Sequence, residues 1–189
     1  MTRLFLENQL RGQFGLSPKS YFLFVGAIEP KKNVIRLLEG FMSANVAEKL
    51  VIAGPLAWQS EKEREMLKKY TDRVIYLNYV TDYALHALMS HAKALLFPSL
   101  YEGFGLPVLE AMSRGVPVMT SNVTSLPEIA GDAALLVSPY DIAQIADAIR
   151  QLATNDKLCD ELSKKGLARA QHFSRQAYAE RLKSTYDQR

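Results

Sequence analysis

Short apolar runs, each too brief for a helix, alternate along this chain with longer segments whose apolar residues recur every three or four positions. The runs are Tyr21–Val25 (YFLFV), Leu50–Ala53 (LVIA), Val74–Leu77 (VIYL), Ala94–Phe97 (ALLF), Val116–Met119 (VPVM) and Ala134–Val137 (ALLV). They are continuous rather than alternating, so they read as strands buried on both faces. Pro117 is easiest to place at a strand start, where its missing N–H costs least. Between the runs, residues 33–41 set Val34, Leu37, Leu38 and Phe41 at helical spacing. Residues 60–70 form an exposed helix, in which Ser60 and Glu63 have the spacing of a capping box. Thr81 or Asp82 starts a helix that runs to about His91. Residues 107–114 read as a helix with Pro in its first turn and Gly115 just past its end. From Asp141 onward the pattern is helical, with breaks near Asn155-Asp156 and His172-Phe173. Strands alternating with helices predict an α/β domain with a mainly parallel sheet covered on both faces. Residues 1–20 read as a lead-in ending in the turn Ser17-Pro18-Lys19-Ser20, residues 21–172 as the domain, and residues 173–189 as a closing helix.

Composition narrows the function. The chain is 48% hydrophobic and 23% charged, which excludes wholesale disorder. Its 189 residues suit one domain of the larger kind. The net charge is +3 with no Lys/Arg block, so nucleic acid is not an expected partner. The last 33 residues hold eight Lys/Arg against four Asp/Glu, a solvated helical face or, on a sharper reading, a surface attracted to anionic membrane. No apolar run approaches the ~20 residues of a membrane span, and charges interrupt the opening MTRLFLENQLRGQF where a signal peptide would be apolar. The single cysteine, Cys159, rules out an intrachain disulfide and a cysteine metal cluster, which fits a reducing cytoplasm. The three histidines lack zinc-motif spacing, and there is no Asp-x-Asp cluster, so no metal is expected.

In a parallel sheet, ligands bind beyond the carboxyl ends of the strands, so the residues after each run carry the chemistry. The most informative loop is Pro98-Ser-Leu-Tyr-Glu102-Gly103-Phe104-Gly105-Leu106-Pro107, leading to Glu110. Gly103 and Gly105 let backbone N–H groups approach a ligand, and a helix start aims its positive end at the loop, an arrangement suited to phosphate. Glu102 in the loop and Glu110 on the first helical turn are acceptors for hydroxyls. A phosphate seat between two hydroxyl-binding carboxylates has the shape of a nucleotide-sugar. Either glycine or either glutamate alone is an ordinary turn or dipole partner; their joint occurrence after a strand favours the site. Lys31-Lys32-Asn33 puts two cations where a helix begins, against the usual preference for acids there. Solvated lysines and an anion site are equally open from that segment. In Ser125-Leu-Pro-Glu128-Ile-Ala-Gly131, Pro127 opens a short helix and Gly131 ends it.

Together these residues resemble the C-terminal, donor-binding domain of retaining GT-B glycosyltransferases of family 4, over roughly residues 20–185. The resemblance is carried by Glu102-x7-Glu110 within SLYEGFGLPVLEAM, by FVGAIEPKKN, by GVPVMTSNVTSLPEIAGDAALLV and by terminal helices after Phe173. It implies a Rossmann-like three-layer domain, the C-terminal half of a GT-B fold. It also implies roles. Glu110 would hold the ribose hydroxyls of the donor, and Glu102 would meet the donor sugar near the reacting centre. The Gly103, Phe104, Gly105 and Leu106 loop would receive sugar or phosphate oxygens, and Lys32 would bind the diphosphate. Relatives often carry Arg where this chain has Ala27, and Lys31 would replace that charge. The base would lie near Val80 and Leu85. The implied reaction moves a hexose from a nucleoside-diphosphate sugar to an acceptor hydroxyl with retention, in polysaccharide or glycolipid assembly. No cofactor is implied. The EPKKN variant leans toward GDP-mannose, with a UDP-sugar open. Expected partners are the donor, an acceptor glycan or lipid-linked glycan, and an N-terminal GT-B domain outside these residues. The expected location is cytoplasmic, with peripheral membrane association of the full-length enzyme. The alternative is a non-catalytic nucleotide-sugar-binding module. An oxidoreductase is disfavoured because GAIEPKKN lacks the Gly-x-Gly-x-x-Gly dinucleotide turn.

Overall fold

The computed structural model describes residues 3–58 and 60–174, together with residues 176, 177, 179, 180 and 183. Its strands are β1 (Tyr21–Val25), β2 (Lys49–Ala53), β3 (Val74–Tyr76), β4 (Ala94–Phe97), β5 (Val118–Ser121) and β6 (Leu135–Val137). They form one parallel sheet in the order β3-β2-β1-β4-β5-β6. The helices are α1 (Arg3–Phe14), α2 (Val34–Ala44), α3 (Glu61–Lys69), α4 (Asp82–His91), α5 (Leu106–Ser113), α6 (Leu126–Ala130), α7 (Ile142–Thr154) and α8 (Asp156–Gln171). In packing, α2 meets α7 and α3, while α5 meets α8 and α6, and α1 meets α4. This is the three-layer α/β arrangement expected from the alternation of apolar runs and helices.

Strands β1 and β4 at the centre of the sheet are apolar throughout because both their faces are covered. Phe22, Leu23, Phe24, Leu50, Val51, Ile52, Leu95, Leu96 and Phe97 are fully buried. On α2, Val34, Leu37, Leu38 and Phe41 form one buried stripe at i, i+3, i+4 and i+7. Each such side chain contributes about 1.5–3 kcal/mol of burial. Gly54, at the carboxyl end of β2, has φ +146°, and a Cβ there would stand 2.0 Å from the Gly26 carbonyl oxygen. The two backbones thus touch where β1 and β2 end, which fixes the loop that follows β1.

The structure differs from the sequence reading in several places. The lead-in carries α1, whose Leu10 is fully buried, and Leu16 beyond it is also buried. Strand β5 begins two residues later than read. The Val116 N–H instead closes the turn after α5 on Ala111, and Pro117, with no N–H, only accepts from Leu95 before pairing begins. The Ser60 capping box does not form: its Oγ donates to the Ala57 carbonyl, and no cap bond reaches α3. Thr81 does cap α4, accepting from Ala84 N–H at 3.3 Å. Breaks after α7 and α8 fall at Asn155 and His172 as read. Much of the helix expected over residues 173–189 lies outside the described residues.

Candidate functional site

The strand order reverses between β1 and β4, which pair side by side. A crevice at the carboxyl ends of strands opens at such a switch point. The loops after β1 and β4 carry Lys31-Lys32 and Glu102–Gly105, so the topology brings the two segments singled out above together. Two bonds fix them to each other: Leu100 N–H donates to the Lys31 carbonyl at 2.7 Å, and Lys32 Nζ lies 2.6 Å from Glu102 Oε1. Both side chains of that ion pair are almost enclosed, 13% and 12% exposed, and the Phe97 ring centroid is 5.1 Å from Lys32 Nζ.

The lysines do not stand on the first turn of α2. They close a 3₁₀ turn, Pro30–Lys32, separated from α2 by Asn33. No inversion of the helix-dipole preference is therefore involved. Lys31 is half-exposed and pairs with Glu29 at 3.2 Å. Asn33, to which the sequence reading gave no role, is the joint of this region. It is buried with φ 59°, and its Nδ2 donates to Pro98 O at 2.9 Å and Pro139 O at 2.7 Å. Its Oδ1 accepts from Arg36 at 3.0 Å. Asn tolerates the left-handed region better than other side chains, which is the one local sign of this role in the sequence.

The loop after β4 is built to leave its amides outward. Gly105 is the N-cap of α5 with φ +103°, and a Cβ there would meet Leu126 Cδ2 at 2.8 Å. The N–H groups of Gly103, Phe104, Gly105 and Leu106 donate to no acceptor among the described residues. They stand at the start of α5, where the helix dipole adds to their attraction for an anion. Glu102 N–H donates to Thr124 Oγ1 at 3.3 Å, and Ser125 Oγ lies 3.0 Å from both the Glu102 and the Phe104 carbonyl oxygens. Phe104 meets Phe173 edge-on, with ring centroids 6.0 Å apart. Thr124 and Ser125, which lie in a segment marked by the sequence but were given no role of their own, thus support the loop from behind.

Glu110 lies on the second turn of α5, not the first, because α5 begins at Leu106. It is exposed, and its carboxylate makes no bond among the described residues. One turn on, Arg114 donates to the Glu110 carbonyl and, through Nε, to His86 Nδ1 on α4 at 3.3 Å. Burial and the Arg114 charge hold the His86 pKa below its usual value, consistent with a neutral ring accepting at Nδ1. Val80 and Leu85 are half-buried after β3 and on the first turn of α4, at the same edge of the sheet, but no hydrogen bond or ring contact joins them to the Lys32–Glu102 pair. Among the described residues there is no group of three His, Cys, Asp or Glu able to hold a metal, and no helix long and apolar enough to cross a membrane.

With this geometry in view, comparison with known proteins identifies the family: the Glycosyl transferases group 1 profile matches residues 7–169, and the chain belongs to it. It is similar to O-antigen chain mannosyltransferase B of Escherichia coli, 39% identical over 168 residues, covering 86% of this chain and 44% of that protein. It is also similar to the serotype-specific mannosyltransferase WbdA of Escherichia coli, 31% identical over 175 residues, 88% of this chain and 21% of that protein. Among solved structures, sucrose-phosphate synthase from Thermosynechococcus elongatus aligns with a TM-score of 0.79 and 28% identity, over 99% of this chain and 50% of that one. Anabaena HepE in complex with UDP and glucose aligns at 0.82 with 20% identity, over 97% and 53%, a likeness of fold. The chain thus spans about half the length, or less, of the relatives it matches. Its fold is the Rossmann-like, three-layer α/β type of GT-B glycosyltransferases.

Proposed function

We propose that this chain is the donor-binding domain of a retaining glycosyltransferase of family 4, Glu-x7-Glu type, which moves a hexose from a nucleoside-diphosphate sugar to an acceptor hydroxyl. The observation that supports this most is the row of unpaired N–H groups from Gly103 to Leu106 beside the Lys32–Glu102 pair. Mannose is the favoured sugar and a cell-surface polysaccharide the favoured product, because the curated relatives are named as O-antigen mannosyltransferases; GDP-mannose is then the favoured donor. A second α/β domain, outside these residues, would bring the acceptor, and peripheral membrane contact would belong to the full enzyme.

The geometry suggests how the parts act. In the unliganded chain Glu102 neutralises Lys32. An arriving diphosphate competes for that ammonium, and the loop amides with the α5 dipole take the remaining phosphate or sugar oxygens. Glu102, released, accepts from a donor-sugar hydroxyl, and Glu110 accepts from the ribose. In transfer, the anomeric carbon–phosphate oxygen bond breaks and the bond to the acceptor oxygen forms on the same face. The acceptor proton passes to the departing phosphate. Lys31 and Lys32 offset the charge that grows on that leaving group. The two glutamates act as binders, not as a glycosidase acid/base pair.

A thermal-shift series with GDP, UDP, ADP and their sugars tests the reading. A ligand at 100 times its Kd stabilises the chain by about 2.7 kcal/mol. If no nucleoside diphosphate raises the melting temperature, the reading fails. Glu110→Ala is expected to weaken the best diphosphate by calorimetry. The 189-residue chain alone is expected to bind donor weakly and to transfer nothing; sugar transfer by the purified chain would overturn the need for a second domain.

A further inference from the structure

We propose that Ser125 is a positioning residue for the donor's diphosphate, acting through the backbone of the Glu102–Gly105 loop. The inference rests on the donor-binding reading above and deepens it. A trans peptide unit is planar, with its C=O and N–H directed oppositely. The Glu102 carbonyl and the Gly103 N–H share one unit, and the Phe104 carbonyl and the Gly105 N–H share another. Ser125 Oγ stands 3.0 Å from both carbonyl oxygens. One hydroxyl proton, shared between two acceptors, therefore draws both carbonyls toward α6 and turns both N–H groups away from it. Those are two of the amides left without an acceptor.

The support continues behind the serine. Thr124, holding φ 58°, accepts from Glu102 N–H. Arg169 of α8 donates to the Glu128 and Ile129 carbonyls of α6. The same guanidinium lies 5.1 Å from the centroid of the Phe173 ring, which meets Phe104. The loop is thus held on its carbonyl side by Ser125 and on its side-chain side by Phe173, and both holds lead to Arg169. Amides oriented in advance need not rotate when the anion arrives, which is where such donors gain their strength.

The test is calorimetric titration of the chain and its Ser125→Ala and Ser125→Thr variants with GDP and GMP, and with UDP and UMP. Ser125→Ala is expected to lose about tenfold in diphosphate affinity, the scale of a hydrogen bond to a charged group, while monophosphate affinity stays within about twofold. Ser125→Thr, which keeps the hydroxyl, is expected to recover most of that loss. A serine that merely stabilised the fold would weaken both ligands together. Equal diphosphate affinity in parent and Ser125→Ala, equal losses for the two ligand types, or a threonine variant as weak as the alanine one overturns the positioning role and leaves the donor site standing. A parent chain that binds diphosphate no better than monophosphate overturns the donor reading, and this inference with it.

Discussion

Two ion pairs, at opposite ends of the sheet, look alike and differ in what they leave over. At the carboxyl end Lys32 lies 2.6 Å from Glu102, with side chains 13% and 12% exposed; at the amino end Lys93 lies 2.6 Å from Glu48, with 17% and 13%. Lys93 Nζ also donates to Ala153 O at 2.6 Å, whereas the other neighbour of Lys32 Nζ is the Phe97 ring. The rest of the amino end is equally committed: Lys19 Nζ donates to Ala92 O, and Tyr21 OH donates to Leu88 O at 2.7 Å. A cavity of about 240 Å³ there is lined by Lys19, Lys93, Asp156 and Cys159. Its lysines make it resemble an anion site, but both already hold the fold, Lys93 on Glu48 and Ala153 O and Lys19 on Ala92 O, and Asp156 lies beside them. At the carboxyl end, the amides from Gly103 to Leu106 are not. Burial and ion pairing are common to both ends; spare donor capacity is what separates a site from a brace.

That contrast can be broken. Lys93→Ala removes two short bonds and leaves Glu48 enclosed and unpaired, so a loss of about 3–5 kcal/mol is expected in urea unfolding. Its diphosphate affinity should match the parent's. Lys32→Ala likewise strands an enclosed glutamate, Glu102, but forfeits no second bond like that of Lys93 to Ala153 O, so it should destabilise somewhat less, by about 2–4 kcal/mol. It should weaken diphosphate binding by about tenfold or more and flatten its salt dependence. If Lys93→Ala hurts nucleotide binding more than Lys32→Ala does, the distinction between the two ends is wrong.

Tyr21 sharpens the amino end as a structural region. Burial pushes its phenol well above the usual range. The folded state therefore holds a proton that the unfolded chain releases near pH 10. The stability tied to this group is complete below about pH 10 and is lost as pH rises beyond it, at about 1.4 kcal/mol per pH unit. Tyr21→Phe should flatten that decline in alkaline unfolding series; an unchanged slope would assign it elsewhere. The smallest effect is expected at Lys165, whose ammonium lies 2.9 Å from Asp132 and holds that carboxyl below its usual range. Both groups are exposed and screened by solvent. Lys165→Ala should leave the melting temperature unmoved, and a drop like that of Lys93→Ala would show that exposure does not divide these pairs.

The sheet was legible because its central strands are buried on both faces, so β1 and β4 appear in the sequence as uninterrupted apolar words with sharp ends. Where a residue had two possible uses, sequence could not choose. Val116 serves the turn after α5 rather than β5, and Ser60 bonds a preceding carbonyl rather than capping α3. Helix α1 was unread because charged residues interrupt its apolar ones, and the burial of its Leu10 comes with packing against α4. At the site, the glycines, glutamates and lysines were legible as residue types suited to an anion and to hydroxyls. Their mutual arrangement was not: Lys32 and Glu102 are 70 residues apart, and the segment of Thr124 and Ser125 was marked by its Pro127 and Gly131, not by the hydroxyls that support the loop.

Asn33 ties the timing of assembly to the whole length of the domain. Its side chain waits on acceptors 65 and 106 residues downstream, at Pro98 and Pro139. A chain emerging from the ribosome has made the lysine loop long before either carbonyl exists, and such distant pairings form late. Until β6 is laid down and Pro139 follows it, the Asn33 amide behind the lysine turn lacks one of its two acceptors. The support of the proposed nucleotide site is thus complete only when the last strand of the sheet is in place.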